Sequence, residues 1–335
     1  MDRTLDGVRP FWVKLLHLLP PSMSHKLGIT VLKDERLLSI IKRFIRIPRD
    51  ERLVIELMGI RIDNPIGLAA GYDKDGILYP SLSTIGLGFY TIGSVTLKPR
   101  RGNRKKLLRR LSKELGLLNS LGIPSKGFQA VKPYLKNARG RSPIMLNIAP
   151  TTPEELRSLL EKVEEIEAVR FVEVNISCPN NFKNMEIWEA LEAMKKPEKP
   201  VFIKLGLDHM RKIDEIVNVC ERNGLGLTVL NALKVDGKGG VSGLPLYPYT
   251  LRAVNEIRKV SEKVPVIAVG GVLTGRQALE LIKAGADAIG ILTAMVYRGP
   301  SVFRNVVEEL IHELECQGFE DLKQARGYGL RSEEV

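Results

Sequence analysis

Six polar side chains in this 335-residue chain, Lys74, Asn147, Asn175, Asn180, Lys204 and Asn231, each follow closely on a short hydrophobic run. An asparagine amide both donates and accepts, and an ammonium donates, so a ring of such groups carries strong hydrogen-bonding demands. A buried core would not tolerate such a ring without a ligand to satisfy it. One Asn in such a place reads as a loop cap; four at equivalent places read as a binding site. Lys204 can pair with a ligand anion or a substrate carboxylate. The run Ala69-Ala70-Gly71 has the small residues that let backbone approach a flat ligand. Gly270-Gly271 and the Leu292-Thr293 amides suit a phosphate. No histidine falls among these positions, which leaves Cys178, Ser177, Lys74 and Asp73 as candidate bases or nucleophiles. A thiol with an ordinary pKa near ~8.5 becomes a working base once a neighbouring Lys or Asn lowers it. The other reading of Cys178 is a small apolar filler.

Such positions need elements that bring them together. Apolar runs at 66–70, 89–93, 144–148, 171–176, 201–205, 227–230, 264–269 and 288–292 read as strands covered on both faces. Helical patterns near 79–86, 127–138, 153–167, 184–195, 208–223, 248–262 and 274–284 separate them, and another follows at 300–316. Eight strand–helix units in roughly 260 residues fit a closed (β/α)8 TIM barrel, an α/β fold, better than an open doubly wound sheet. Reactive residues in that fold sit at the C-terminal ends of the strands, where the polar ring falls. Runs at 53–57 and 60–62 read as a hairpin leading in. No Gly/Ser linker divides the chain, so the expected organisation is a barrel over 51–335 behind a helical extension over 1–50.

In the extension, Phe11, Trp12, Leu15, Leu16 and Leu19 share a helical face, and Pro20-Pro21 breaks it. Met23, Leu27 and Val31 continue at helical spacing, then Leu37, Leu38, Ile41, Phe44 and Ile45, with Arg36, Lys42, Arg43 and Arg46 mostly between. Short basic amphipathic helices either attach to a membrane surface or cap the main domain. The formal net charge is +12, yet residues 98–141 alone hold fourteen Lys and Arg against Glu114. The excess is therefore a local basic surface rather than a global preference for polyanions. With 44% hydrophobic residues, disorder is excluded. No apolar run approaches the ~20 residues of a spanning helix, and Asp2, Arg3 and Asp6 do not open a signal peptide. Cys178, Cys220 and Cys316 are odd in number and widely spaced, which points to a reducing cytoplasmic setting without disulfides. The four histidines form no ligand pair, and no metal is expected.

The motifs Asn64-Pro-Ile-Gly-Leu-Ala-Ala-Gly-Tyr-Asp-Lys-Asp-Gly76 and Ile92-Gly-Ser-Val-Thr-Leu-Lys-Pro-Arg-Arg-Gly-Asn103 resemble those of the dihydroorotate dehydrogenase family. So do Leu118-Asn119, Asn175-Ile-Ser-Cys-Pro-Asn180, Gly239-Gly-Val-Ser-Gly243 and Val269-Gly-Gly271, and the likeness runs from about residue 10 to 316. The stretch Leu19-Pro-Pro-Ser-Met-Ser-His25 resembles the extension of the family's membrane-associated, quinone-using class (class 2). The resemblance implies FMN at the barrel mouth, with Ala70, Gly71, Ser94, Asn147 and Asn175 beside the flavin. It places Lys204 at the pyrimidine edge, and Ser242, Gly243, Gly270, Gly271, Leu292 and Thr293 around the phosphate. Lys74, Asn119, Asn175, Asn180 and Asn231 would hold dihydroorotate while its C5 proton passes to Cys178 and its C6 hydride to flavin N5.

The product implied is orotate, for pyrimidine (UMP) biosynthesis. The acceptor implied is a quinone, with residues 10–46 in peripheral contact with the cytoplasmic face of the cell membrane and no nucleic acid as partner. The alternatives are fumarate or a partner flavoprotein with NAD as acceptor, or a different FMN barrel acting on another pyrimidine. Four positions depart from the class 2 pattern. Cys178 is the base of the soluble class (class 1), where class 2 has Ser. Leu292 replaces a Tyr near the acceptor, Ile123 replaces a Phe, and Arg109 replaces an apolar neighbour of the acceptor-side Arg110.

Overall fold

The hydrophobic runs become parallel strands because helices cover one side of each and barrel-filling side chains the other. The computed structural model describes residues 11–105, 107–177, 185–194 and 197–332. Three helices come first, α1 (Phe11–His17), α2 (Pro21–Lys33) and α3 (Glu35–Ile45), then a hairpin of β1 (Ile55–Leu57) and β2 (Ile60–Ile62). The chain continues through β3 (Ile66–Leu68), α4 (Tyr79–Leu82), β4 (Tyr90–Val95), β5 (Leu107–Leu111), β6 (Gly116–Ser120) and α5 (Phe128–Lys136). Next are β7 (Ile144–Ile148), α6 (Pro153–Glu164), β8 (Val169–Asn175), α7 (Ile187–Ala193), β9 (Val201–Leu205) and α8 (Ile213–Asn223). Then come β10 (Gly226–Val229), β11 (Leu233–Val235), β12 (Gly239–Gly243), α9 (Tyr247–Val260), β13 (Val266–Val269), α10 (Gly275–Lys283) and β14 (Ala288–Ile291). The described chain ends with α11 (Thr293–Arg298), α12 (Ser301–Cys316), α13 (Leu322–Ala325) and α14 (Tyr328–Ser332).

Strands β3, β4, β7, β8, β9, β10, β13 and β14 form a closed parallel barrel in chain order, as the eight apolar runs predict. Its interior is layered. At the bottom, Phe89, Met145, Phe171, Phe202 and Ile267 pack with Leu57 and Ile62 of the entry hairpin. Glycine makes room for these rings: a Cβ on Gly67 would run into Phe89, and one on Gly226 into Phe202. Side chains alternate along a strand, so Asn147, Glu173, Lys204 and Thr228 stand one layer above, all buried. Local signals fix the helices around the barrel. Thr152 caps α6 by accepting from Glu155 N, with Pro153 in the first turn, and Gly224 ends α8 in the left-handed region at φ 65°.

Two helical expectations change in detail. The pattern near 79–86 is α4 followed by a 3-10 turn, and the pattern near 208–223 is a 3-10 stretch over 207–212 followed by α8. A larger difference is a second, antiparallel sheet of order β11-β12-β6-β5. Its strands carry no apolar periodicity: β5 reads LLRRL and β12 reads GGVSG. The pairing of Asn119 with Gly240 joins segments that are far apart in sequence.

The N-terminal helices dock against this assembly. Helix α2 packs on β5 and α3 on α12, burying Val13, Leu32, Leu38 and Ile45. Leu18 in the turn after α1 is 81% exposed, Ile40 64%, and Phe44, whose side chain also lines the cavity described below, 65%. No described helix is long and apolar enough to cross a membrane.

Candidate active site

A cavity of about 700 Å3 lies at the C-terminal ends of the barrel strands and continues to the three N-terminal helices. Its size is that of a typical ligand site. Ala70, Gly71, Lys74, Ser94, Asn119, Asn175, Lys204, Asn231, Ser242, Gly243, Gly270, Gly271, Leu292 and Thr293 all line it. Asn147 is fully buried and stands behind the wall rather than on it. Cys178, Asn180 and residues 181–184 lie outside the described residues.

Lys74 sits on a loop organised by its neighbour. The buried Asp73 carboxylate accepts from the backbone N–H of Gly76 (3.0 Å), Ile77 (3.1 Å) and Leu78 (2.9 Å), and from the Tyr90 hydroxyl at 2.9 Å. Burial pushes the Asp73 carboxyl above its ordinary range, against the opposing pull of these hydrogen bonds. With both oxygens occupied, Asp73 is a brace for the loop and drops out as a candidate base.

The asparagines converge from neighbouring strand ends. Asn231 donates from Nδ2 to the Ser177 carbonyl (3.0 Å) and hydroxyl (3.2 Å), and more distantly to Asn175 Oδ1 (3.5 Å). Asn175 in turn donates to Ser94 Oγ at 3.3 Å. On the next strand over, Lys204 Nζ pairs with Glu173 at 3.4 Å, and Asn147 Nδ2 also donates to Glu173. Asn147 Oδ1 and Thr228 Oγ1 are buried without a partner.

At the opposite end of the cavity, Ser242 Oγ and Thr293 Oγ1 are 3.0 Å apart. Gly243 and Gly271 have φ of +92° and +85°. A Cβ on the first would strike Leu115 O, and on the second the Tyr247 backbone. Only glycine fits both the dihedral and the space. The Tyr297 hydroxyl donates to Gly116 O at 2.7 Å, tying α11 to β6.

The wall toward the N-terminus is held by Arg110. Its guanidinium donates to His17 O (2.9 Å), Leu19 O (3.0 and 3.1 Å) and Ser24 Oγ (2.6 Å), while its buried Nε has no partner. Arg110 therefore lines the cavity, whereas Arg109 is exposed and does not. His25 donates from Nε2 to Tyr72 O at 3.1 Å and meets the Tyr72 ring edge-on, joining α2 to the Lys74 loop. Burial holds the His25 imidazole below its ordinary pKa of 6.5, with the Lys74 charge acting the same way.

Sequence reading missed Glu173, Tyr90 and His25. Glu173 had a visible signal, an acid inside an otherwise apolar run, but nothing in the sequence named its partner.

The model of the family described as "Dihydroorotate dehydrogenase" matches residues 52–314. A "Dihydroorotate dehydrogenase (quinone)" of Haloarcula marismortui is 32% identical, covering 84% of this chain and 87% of its own. One of Agrobacterium fabrum with the same description is 31% identical, covering 93% and 94%. A crystal structure of DHODH from Eimeria tenella in complex with ferulenol superposes with a TM-score of 0.81 at 25% identity, covering 93% of this chain and 98% of that one.

Proposed function

The chain belongs to the dihydroorotate dehydrogenase family, and from that premise we propose that it oxidises (S)-dihydroorotate to orotate with FMN as cofactor and a quinone as electron acceptor. The observation that carries this reading is the single cavity joining the polar strand ends to an apolar wall of N-terminal helices. A polar substrate and an apolar acceptor can each reach one part of it.

The family is FMN-dependent, and the residues present fit the group. One end of the cavity offers the Ser242 and Thr293 hydroxyls and glycine backbone for a phosphate. The other offers the Lys204 ammonium and the Asn175 amide for a polar ring edge, above the orphaned Asn147 Oδ1. FMN, when bound, supplies the hydride acceptor. Lys74, Asn119, Asn175, Asn180 and Asn231 would grip the substrate carboxylate and ring amides and so fix its orientation in the cavity. Cys178 takes the C5 proton as the hydride leaves C6. Arg110 and His25 hold the helices that shut water out on the acceptor side.

In this reading residues 1–50 form the acceptor-side cap, and residues 51–335 the FMN-binding barrel. The exposed Leu18, Ile40 and Phe44 rest on the cytoplasmic face of the membrane, the source of quinone.

The test is spectral. The purified protein should be yellow, anaerobic dihydroorotate should bleach it, and a soluble quinone analogue should restore the colour. Colourless protein that binds no added FMN would sink the reading. Bleaching reversed only by fumarate, or only by a partner flavoprotein with NAD, would move the acceptor. Cys178→Ala should stay yellow and bleach at least about a hundredfold more slowly; fast bleaching would place the base elsewhere.

A further inference from the structure

We infer that Glu173 is a positioning residue that sets the redox potential of the bound flavin by holding Lys204 from behind and offsetting part of its charge. The inference rests on the FMN reading above. Glu173 lies mid-way along β8, between Phe171 in the aromatic plug below and Asn175 on the cavity wall above. It is 3% exposed and does not line the cavity, so water cannot solvate its charge. Among the described residues its ion-pair partner is Lys204, at 3.4 Å, and Asn147 Nδ2 donates to the same carboxylate oxygen. Lys204 does line the cavity. A ligand there therefore meets a cation whose counter-charge stands behind the cavity wall.

Such a dipole acts differently on the two redox states of a ligand. Taking up a hydride brings two electrons and one proton, so the bound ring system gains one negative charge. Lys204 favours that charge and Glu173 opposes it, and both effects are strong where the surroundings are dry. Glu173 thus keeps the potential lower than Lys204 alone would set it. That eases the departure of electrons to the acceptor at the expense of the first half-reaction. Asn147 contributes by fixing the carboxylate, which leaves Lys204 as the only member of the three on the wall.

The experiment measures the midpoint potential of the FMN-loaded protein by equilibrium with a reference dye, together with the dissociation constant of oxidised FMN. Glu173→Gln keeps the shape and removes the charge. The midpoint should rise by at least the equivalent of a tenfold change in the reduced-to-oxidised ratio, about 30 mV for a two-electron couple. Oxidised FMN should bind within about threefold of wild type, since its ring carries no such charge. Glu173→Asp, which retains the charge, should restore the wild-type midpoint. Should Glu173→Gln fail to fold, Lys204→Gln is compared with Lys204→Gln/Glu173→Gln, and removing the carboxylate must again raise the midpoint. An unchanged or lowered midpoint in the folded pair overturns the inference. A wild-type protein that binds no FMN, or is not bleached by dihydroorotate, overturns the functional reading instead.

Discussion

Asp73 shows how a residue next to the chemistry can serve it without taking part. Its carboxylate has four donors and no free lone pair aimed at the cavity. In Asp73→Asn the Oδ1 can still accept from Gly76 and Ile77, but an amide NH2 then faces the Leu78 N–H. Leaving that buried amide unpaired should cost about 1–3 kcal/mol of stability, readable by urea unfolding. Because Lys74 is the next residue, KM for dihydroorotate should rise more than kcat falls; a variant with wild-type stability and KM would deny Asp73 its bracing role. The residue types of the polar ring were legible in the sequence because an amide or ammonium after an apolar run needs a reason. The braces behind them were not. Asp73 stood among the candidate bases beside the favoured Cys178, and Tyr90 and Glu173 sit inside runs whose apolar average conceals them, so only three dimensions show what each one touches.

At the scale of elements, the eight barrel strands were readable because burial on both faces leaves an unbroken apolar run. The sheet β11-β12-β6-β5 escaped because glycines and arginines fill it and because its pairings span distant parts of the chain. That sheet presents Asn119 to the cavity on β6, Ser242 on β12, and Arg110 on β5 to anchor the N-terminal helices. Arg110→Ala should speed amide hydrogen exchange across α1 and α2 and raise the KM for the acceptor; unchanged exchange there would mean that packing alone holds the helices. The same docking is pH-dependent. His25 has a folded pKa below its unfolded value of 6.5, so the unfolded state binds more protons in the window between the two. Stability from the neutral, half-buried His25 is present above that unfolded value and is lost as pH falls through the folded one. The protection factors of the α2 amides, taken against the base-catalysed intrinsic rate at each pH, should therefore fall from pH ~7.5 to ~5.5, and His25→Gln should remove most of that dependence.

For the whole molecule, the concentrated basic charge and the exposed apolar residues fall on connected parts of the surface. Of the segment 98–141, Arg110 is taken up in anchoring α1 and α2, Lys126 pairs with Asp75 at 2.7 Å, and Lys132 pairs with Glu165 at 3.1 Å. Arg101, Arg104 and Lys105 remain exposed on the stretch leading into β5, against which α2 packs. Leu15, Leu18, Met23, Leu27, Leu37, Ile40 and Phe44, the large exposed apolar residues of the first three helices, belong to the same docked unit. On the proposed reading, apolar contact and attraction to anionic headgroups would act together at a membrane surface. Replacing Leu18, Leu37 and Ile40 by Ser removes exposed apolar area that does not line the cavity, so folding and flavin content should persist. Partition onto anionic vesicles should fall by at least about tenfold, at any salt concentration. Replacing Arg101, Arg104 and Lys105 by Gln should weaken partition chiefly at low salt, since the Debye length shrinks from about 30 Å at 0.01 M to about 10 Å at 0.1 M. Vesicle sedimentation of both variants decides between the contributions: if neither loses binding, the N-terminal helices serve only to wall the cavity, and the charge of residues 98–141 is a solvated face.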